Sequence, residues 1–212
     1  MPLQNRVTPF GEIIATPARG TFMGNRGILH DGDKKLGSAR WRTKAWITCA
    51  LEFKGRRRTV MGPGTYTELF FLDEATACAA GHRPCAECRR SDFARFTTAW
   101  TSVMDRTAGP RVSAKEIDAR LHQERISRPG RAKRIFEAPV DHLPDGIMIA
   151  RREHLEQALL VLGNTLYPWS PEGYGAPLPR GSGFVHVLTP PSITMVISAG
   201  YRPQIHSTAK SR

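Results

Sequence analysis

The stretch FFLDEATACAAGHRPCAECRRSDF, residues 70–93, decides the fold that is predicted for this chain. Its two phenylalanines end a strand, Asp73 is a favourable helix N-cap, and Gly81 follows the short run EATACAA as a typical left-handed C′ residue. Cys85 and Cys88 then precede a second helix. A strand, two helices and a Cys-x-x-Cys turn therefore predict a small α+β unit that is braced at its cysteines.

The segments on both sides extend this unit to an α+β fold. Alternating apolar residues predict a strand at 45–55, and Ser113 and Glu116 predict a helix that begins with a capping box. Turn residues at 145–146 and 163–164 predict hairpins, so we expect one compact domain with a β-rich C-terminal half. The predicted segments are a Gly/Arg-rich arm or loop at 1–45, the cysteine unit with its following helix at 46–110, an α+β half at 111–205 and a flexible tail at 206–212.

The charge balance indicates a polyanionic partner. The 212 residues include 31 Lys and Arg against 19 Asp and Glu, a net charge of +12, and 24 of the cations are arginine. Because guanidinium groups pair with phosphates and stack on bases, this surplus favours a nucleic acid over a basic protein without such a partner. No leader pattern or membrane-length apolar run is found, so we expect a cytoplasmic, nucleoid-associated monomer with no membrane partner.

The cysteine segment resembles the second half of the Ada-type zinc-binding DNA repair module. The resemblance extends over residues 46–90 and is specific for 70–90. It implies a structural zinc that holds the strands against the helix after Cys88. Ada-type modules take their other two ligands from a close cysteine pair upstream, whereas this chain offers only Cys49 there, so methyl transfer to cysteine is not expected. The matching residues are Phe70, Phe71, Ala80, Gly81, Arg83, Pro84, Cys85, Cys88 and Arg89, with His82 at the usual aromatic position.

A tetrahedral zinc site needs four Cys or His donors. Cys49, Cys78, Cys85 and Cys88 supply such a set, and His82 is an alternative to Cys78. With a single Cys-x-x-Cys pair, a metal-free fold of the same kind stays open. A redox pair of the thioredoxin type is not expected, since no βαβ pattern precedes the motif. No nucleotide cofactor is expected either, because the sequence has no phosphate-binding glycine fingerprint.

Basic residues near the helix start and in the loops are the predicted contacts to the DNA backbone. A solvated basic face has the same pattern in a sequence and is the alternative. The predicted DNA-binding residues are Arg26, Arg56, Arg57, Arg58, Arg83, Arg89, Arg90, Arg131, Lys133 and Arg134.

The catalytic candidates are polar residues in unusual settings. In a Gly-rich stretch, Asn25 offers an amide for a base edge, and His30 and Asp31 offer groups that polarise water, unless the stretch packs on the core. Asp145 points into a cleft or makes a hairpin turn, and Glu68 faces solvent or is a buried base. Aromatic residues available for stacking on a base, unless they fill the core, are Trp41, Trp46, Tyr66, Trp169 and Tyr174.

Three segments make the whole chain similar to a small bacterial family of DNA glycosylases that act on hypoxanthine and ethenoadenine. They are RGTFMGNRG (19–27), HLPDGIMI (142–149) and TPPSITMVISAGYRP (189–203). The resemblance implies hydrolysis of the N-glycosidic bond of a damaged purine that is flipped out of the duplex. Because no lysine stands in an obvious imine-forming setting, we expect a monofunctional enzyme. The alternatives are a non-catalytic Ada-like module for damage sensing or transcription control, and a metal-dependent nuclease.

Overall fold

The computed structural model describes residues 1–56, 59–104, 112–127 and 132–209. It confirms the α+β fold and its β-rich character, with two sheets and four α-helices. The strands of the first sheet are β1 (Gln4–Val7), β2 (Ile13–Ala15), β3 (Phe22–Asn25), β4 (Ile47–Cys49), β5 (Leu69–Phe71) and β6 (Arg83–Pro84).

The first sheet has the strand order β2-β1-β5-β3-β4-β6. The pairs β1–β5 and β4–β6 are parallel, and the other neighbours are antiparallel. Three of these strands lie in residues 1–45, so the prediction of an arm or loop there was wrong. Both β1 and β3 pair with β5, far along the chain, and such pairing leaves no signal in local periodicity.

The second sheet is antiparallel, in the order β11-β10-β9-β8-β13-β7 with β12 beside β10. The β9–β10 hairpin confirms the predicted turn at 163–164. The predicted hairpin at 145–146 was wrong, because a 3-10 helix (Val140–His142) precedes that turn and β7 pairs with β13. The strands are β7 (Phe136–Pro139), β8 (Met148–Arg151), β9 (His154–Leu162), β10 (Thr165–Ser170), β11 (Gly173–Tyr174), β12 (Leu178–Pro179) and β13 (Phe184–Val187).

Two of the helices begin where the sequence predicts their caps. The Asp73 carboxylate accepts from the Thr76 N–H at 2.8 Å, and Ser113 and Glu116 form the predicted capping box. These caps satisfy N–H groups that a helix start leaves free. The helices are α1 (Glu74–Ala79), α2 (Arg90–Val103), α3 (Ala114–Arg125) and α4 (Pro191–Ser198).

Helix α1 joins the two sheets. All 6 of its residues are buried. Ala75 and Ala79 pack in one cluster with Leu160 of the second sheet, and Ala77 packs in another with Leu69 of the first. Because its side chains are small, the helix can lie close to both layers. A further core cluster fills the space between the second sheet and helices α2, α3 and α4.

The segment after α4 is fixed to the start of α1 by two buried carboxylates. Glu74 accepts from the Gln204 N–H at 2.9 Å, and Asp73 accepts from the His206 N–H at 3.0 Å. Each carboxylate also accepts from a buried tyrosine hydroxyl. The described part of the predicted flexible tail, residues 206–209, is therefore held at its first residue by a contact with the helix cap.

Candidate functional site

Three of the four cysteines form a group that can hold a metal ion. Cys49 ends β4, and Cys85 and Cys88 lie in the turn between β6 and α2. Their sulfur atoms lie within 4.8 Å of one another. Thiolates at this spacing suit a thiophilic ion. No fourth Cys, His or carboxylate joins the group within the part of the chain that the structure describes.

The three sulfur atoms differ in their tendency to ionise. A hydrogen bond with Cys49 lowers the pKa of Cys85 to about 5, and backbone N–H groups add to this effect against that of burial. The same hydrogen bond raises the pKa of Cys49, and burial raises the pKa of Cys88. Cys85 is therefore the thiol of the three that ionises most readily, and the thiolate is the form in which cysteine binds metals.

Cys78 and His82, the other predicted ligand and its alternative, lie away from this group. Cys78 faces the apolar core, where burial raises the pKa of its thiol. The His82 ring lies against Trp46 and Phe71, with ring centroids 5.2 and 4.7 Å away, and it accepts from Arg26 Nε at 3.4 Å. Both side chains pack in the protein interior. The structure therefore brings together only three of the predicted metal ligands, all of them cysteines.

A cavity of about 880 Å³ lies between the first sheet, the end of α3 and the start of β9. Its walls combine the indole rings of Trp41 and Trp46 with cationic side chains. This volume suits a ligand of nucleotide size. The charged residues of its lining are Glu12, Arg26, Arg40, Arg125, Lys133 and Glu156.

Trp46 forms the inner aromatic wall of the cavity. The guanidinium carbons of Arg26 and Arg125 lie 3.9 and 3.8 Å from its ring centroid. Its Nε1 donates to the Thr43 carbonyl at 3.0 Å, which fixes the orientation of the ring. Trp41 packs beside it with ring centroids 6.2 Å apart. The cation–π contacts offset part of the cost of burying two guanidinium groups.

Backbone carbonyls, rather than acids, hold the two arginines. Arg26, 1% exposed, donates to the Gly11 carbonyl at 2.9 Å. Arg125, 2% exposed, donates to the carbonyls of Gly81 and Lys44 at 2.9 and 2.7 Å. Arg26 Nη2 and Arg125 Nε have no hydrogen-bond partner among the described residues. Because unpaired buried donors are costly, this wall favours a ligand that brings negative charge.

Gly81 leaves the space that Arg125 occupies. Its φ is +85°, and a Cβ atom there would lie 2.7 Å from Arg125 Cδ. A side chain at this position would push the guanidinium group out of the cavity wall. The glycine that ends the opening helix motif is therefore also part of the candidate site.

Burial lowers the pKa values of the cationic side chains at the cavity, and the repulsion between neighbouring cations adds to this effect. Burial, followed by the charge of Arg125, lowers the pKa of Arg26 to about 9. Burial lowers the pKa of Arg125 to about 9 although Asp118 opposes it. Lys133 Nζ donates to the Ala79 carbonyl at 2.5 Å, and burial with both arginines lowers its pKa to about 7. Clefts with such shifts are typical of functional sites.

Two predicted catalytic residues, His30 and Glu68, lie together but outside the cavity. His30 Nε2 contacts the Gly62 carbonyl at 3.2 Å, and Glu68 Oε2 accepts from the Met61 N–H at 2.7 Å. Glu68 is 3% exposed, so it is buried and does not face solvent. Both side chains hold the loop before β5, so the structure assigns them contacts with the backbone.

The other predicted catalytic residues make turns. Asn25 accepts from the N–H two residues later at 3.3 Å, and Asp31 accepts from N–H groups two and four residues later at 2.9 Å. Asp145 accepts from the Gly163 N–H at 2.7 Å. Short polar side chains commonly satisfy nearby backbone in this way. None of these residues lines the cavity.

Three predicted DNA-contacting arginines are buried. Arg83 makes two bonds of 2.9 and 2.8 Å with Asp118, and Arg89 Nη2 lies 2.7 Å from Glu74. Arg83 and Arg89 are each 5% exposed and cancel their charge inside the protein. Their prediction as backbone contacts was therefore wrong, and Arg26 faces the cavity rather than open solvent.

The remaining predicted contacts are exposed or lie outside the described residues. Arg90 and Arg134 are exposed, and Arg56 is exposed but pairs with Glu87 at 2.7 Å. Lys133 is half-buried at the cavity. The predictions that fall outside the described residues are Arg57, Arg58 and Arg131.

Sequence reasoning missed four charged residues of the site, Glu12, Arg40, Arg125 and Glu156. They come from the β1–β2 loop, the segment between β3 and β4, the end of α3 and the start of β9, which only the tertiary fold brings together. A cation in the last turn of a helix usually serves the helix dipole, so Arg125 carried no distinct signal. Trp41 and Trp46 were candidates for stacking on a base, and both line the cavity.

The chain matches no protein-family model, no curated protein and no solved structure. Within its described residues, no helix has the length and apolar character needed to cross a bilayer. The function is therefore inferred from the chemistry of the cavity and the cysteine group.

Proposed function

We propose that this protein is a DNA repair glycosylase that hydrolyses the N-glycosidic bond of a damaged purine flipped out of the duplex. The cavity carries the proposal, because Trp41 and Trp46 lie there beside Arg26, Arg125 and Lys133. Aromatic faces accommodate an unstacked base, and cations attract the phosphates on either side of it. The net charge of +12 favours the same class of partner.

The cation cluster suits the charge that develops on the leaving base. As the bond breaks, its electrons move onto the purine and the sugar C1′ becomes electron-poor. Arg26 and Arg125 place fixed positive charge in the wall beforehand, so negative charge on the purine is stabilised with little reorganisation. Lys133, with its pKa lowered to about 7 by burial and both arginines, donates a proton to the departing base.

Two exposed carboxylates are available to orient the attacking water. Glu12 and Glu156 both line the cavity. A carboxylate near the sugar also favours the electron-poor C1′ of the transition state. These two residues replace Asp31, Glu68 and Asp145 as the acids to be tested.

The donors of the wall favour purines that lack the amino group of adenine. Guanidinium and ammonium groups donate hydrogen bonds and accept none. Hypoxanthine has an acceptor oxygen, O6, at the position where adenine has its amino donor, and in ethenoadenine that nitrogen carries no hydrogen. An intact adenine would place N–H groups against N–H groups, and unpaired polar groups in a site strongly reduce binding.

Duplexes that each carry one lesion test the proposal. Without added metal, alkali treatment after incubation should cleave the strand at hypoxanthine or ethenoadenine and leave adenine intact. Arg26→Met removes fixed charge at the leaving base and should lower the single-turnover rate by ~100-fold. Arg152→Met, at an exposed arginine outside the cavity lining and not among the predicted DNA contacts, is the matched control and should leave that rate within about threefold.

Other outcomes would redirect the proposal. Tight binding to lesion duplexes without released base would support a damage-sensing module and contradict an enzyme. Cleavage of undamaged DNA that requires magnesium would support a nuclease. Equal rates for Arg26→Met and the parent protein would show that the cation cluster does not stabilise the leaving base.

We also propose that Cys49, Cys85 and Cys88 hold a zinc ion, which would tie β4 to the turn before α2. Because no fourth donor lies with them among the described residues, water or another ligand would fill the fourth position. Protein purified without chelators should contain about one zinc per chain, because such sites bind zinc tightly. Cys49→Ala should reduce the content below about 0.2, whereas Cys78→Ala, in the core, should not change it. A content below about 0.2 in the parent protein would instead mean that the core alone holds this fold.

A further inference from the structure

Lys133 lines the cavity together with other cationic side chains. An antiparallel bridge with Ile126 and a bond from the Ser127 N–H to the Ala132 carbonyl at 2.9 Å hold its backbone. Its Nζ donates to the Ala79 carbonyl, a neutral acceptor, at 2.5 Å. No ion pair joins it to a carboxylate in the part of the chain that is described.

The surroundings keep a large fraction of this amine neutral. Burial, Arg26 and Arg125 lower the pKa of Lys133 to about 7, so about half of the amine is unprotonated at neutral pH. An ordinary lysine is almost fully protonated there, and only the neutral amine is a nucleophile. The other ionisable groups of the cavity lining near it are Glu12, Arg40 and Glu156. The buried His82 lies outside the lining, and the charge of Lys133 acts on it through the interior.

We infer that Lys133 is a nucleophile that captures the aldehyde of a ring-opened abasic sugar, which gives this cavity a lyase activity. The identity of the aldehyde rests on the proposed function, since base removal leaves such a sugar in the cavity. Beside Arg26 and Arg125, the amine lies where phosphates flanking that sugar would be held. In the linear sequence no lysine stands in an obvious imine-forming setting, whereas in three dimensions the buried cations beside Lys133 favour one.

The reaction balances without an oxidant or a reductant. Lys133 Nζ attacks the C1′ aldehyde carbon, the carbonyl oxygen leaves as water, and a protonated C=N bond forms. A carboxylate of the lining, Glu12 or Glu156, takes a proton from C2′. The electrons of that C–H bond form a C2′=C3′ bond, and the C3′–O bond breaks with release of the phosphate. Water then hydrolyses the imine and restores the amine.

Borohydride trapping on a duplex with one preformed abasic site tests this inference. Reduction of the imine should join the parent protein covalently to the DNA. Lys133→Arg keeps the positive charge but cannot form the imine, so it should lower the yield by more than ~100-fold. The matched control is Lys115→Arg at an exposed lysine of α3, which should trap normally. A duplex with tetrahydrofuran, which has no aldehyde, should give no adduct.

The pH profile distinguishes a nucleophile from a structural lysine. The rate of adduct formation should reach half its maximum near pH 7, whereas an ordinary lysine gives a rate that rises to about pH 10. Arg26→Met removes one of the cations that lower the pKa of Lys133, and it should shift the half-maximum to higher pH. Melting curves of each variant show whether it is folded.

The outcomes separate this inference from the proposed function. Trapping that persists in Lys133→Arg, or no adduct with the parent protein, would overturn the inference even if lesions are excised. Trapping at preformed abasic sites without excision of any lesion would support Lys133 as the nucleophile and contradict the glycosylase. An adduct that is lost only in Lys115→Arg would identify Lys115, outside the cavity, as the nucleophile and overturn the inference.

Discussion

Two pairs of buried arginines in this molecule differ in what surrounds them. Arg83 and Arg89 each contact a buried carboxylate, whereas the described partners of Arg26 and Arg125 are carbonyl groups and aromatic or imidazole rings. Burial opposes protonation of Arg89, yet Glu74 raises its pKa, and Arg26 has a lowered pKa. The first pair is neutralised inside the protein, and the second pair is not.

This difference distinguishes the arginines that stabilise the fold from those that belong to the candidate site. A buried cation with an acid partner ties two elements together, as Arg83 does between β6 and α3. A buried cation without an acid is costly in the free protein and becomes favourable when an anion arrives. Chain position does not reveal which arginines belong to which pair, since Arg83 and Arg89 stand beside the cysteines and looked like DNA contacts.

The largest expected effect is a loss of stability when a buried arginine loses its acid partner. Asp118→Ala leaves the Arg83 guanidinium buried without its acid and should lower the free energy of unfolding by about 3–5 kcal/mol. Urea unfolding measures this loss. The exposed pair of Arg152 and Glu137, 2.6 Å apart, gives the control, and Glu137→Ala should cost less than about 1 kcal/mol.

A double variant completes this test. Arg83→Met with Asp118→Leu removes both charges together and should recover most of the lost stability, because replacing a buried pair by apolar residues is often neutral. If Asp118→Ala and Glu137→Ala cost the same, the buried pair would not differ from a surface pair and the comparison would fail.

The next effect concerns the arginines that lack acids. Arg26→Met should reduce the preference for a duplex with a tetrahydrofuran abasic analogue over an undamaged duplex by about 10-fold to 100-fold. Fluorescence anisotropy at fixed salt measures both affinities. The exposed Arg134→Ala should weaken both duplexes about equally, because a phosphate contact carries no information about the lesion. A preference that Arg26→Met leaves unchanged would contradict the assignment of this pair to the site.

The smallest effect is on stability as a function of pH. The pKa of Lys133 is lowered to about 7 by burial and both arginines, below its value in the unfolded chain. Between about pH 7 and pH 10 the unfolded chain binds the extra proton, so the free energy of unfolding rises with pH through this window and is level below it. Between pH 7 and pH 8 the contribution of Lys133 to this rise is about 1 kcal/mol, and Lys133→Met should remove it. An unchanged curve would mean that Lys133 has an ordinary pKa.

Local signals were sufficient for much of the fold. The cap at Asp73, the capping box at Ser113 and the turn at 163–164 each depend on residues within one or two turns of chain, and the structure confirms all three. The strands in residues 1–45 were missed because their partners lie elsewhere. The hairpin predicted at 145–146 was wrong because β7 pairs with β13, far along the chain, and a 3-10 helix precedes the turn.

The candidate site was predictable only in part. Cys49, Cys85 and Cys88 were named from spacing and meet as expected, whereas Cys78 lies on the side of α1 that faces the core. The cavity depends on side chains such as Trp46 from separate elements, and no pattern in the sequence links them. Acid partners decide the role of each arginine, and those partners are set by tertiary structure.

The hydrogen bonds between the start of α1 and the segment after α4 also affect the order in which the chain can fold during synthesis. Glu74 and Asp73 receive N–H groups from Gln204 and His206, which are synthesised long after the helix. A nascent chain that stops short of them holds two carboxylates with incomplete partners at the centre of the molecule. We therefore expect the helix between the sheets to gain protection from hydrogen exchange late, and folding to be slow, as long-range contacts require.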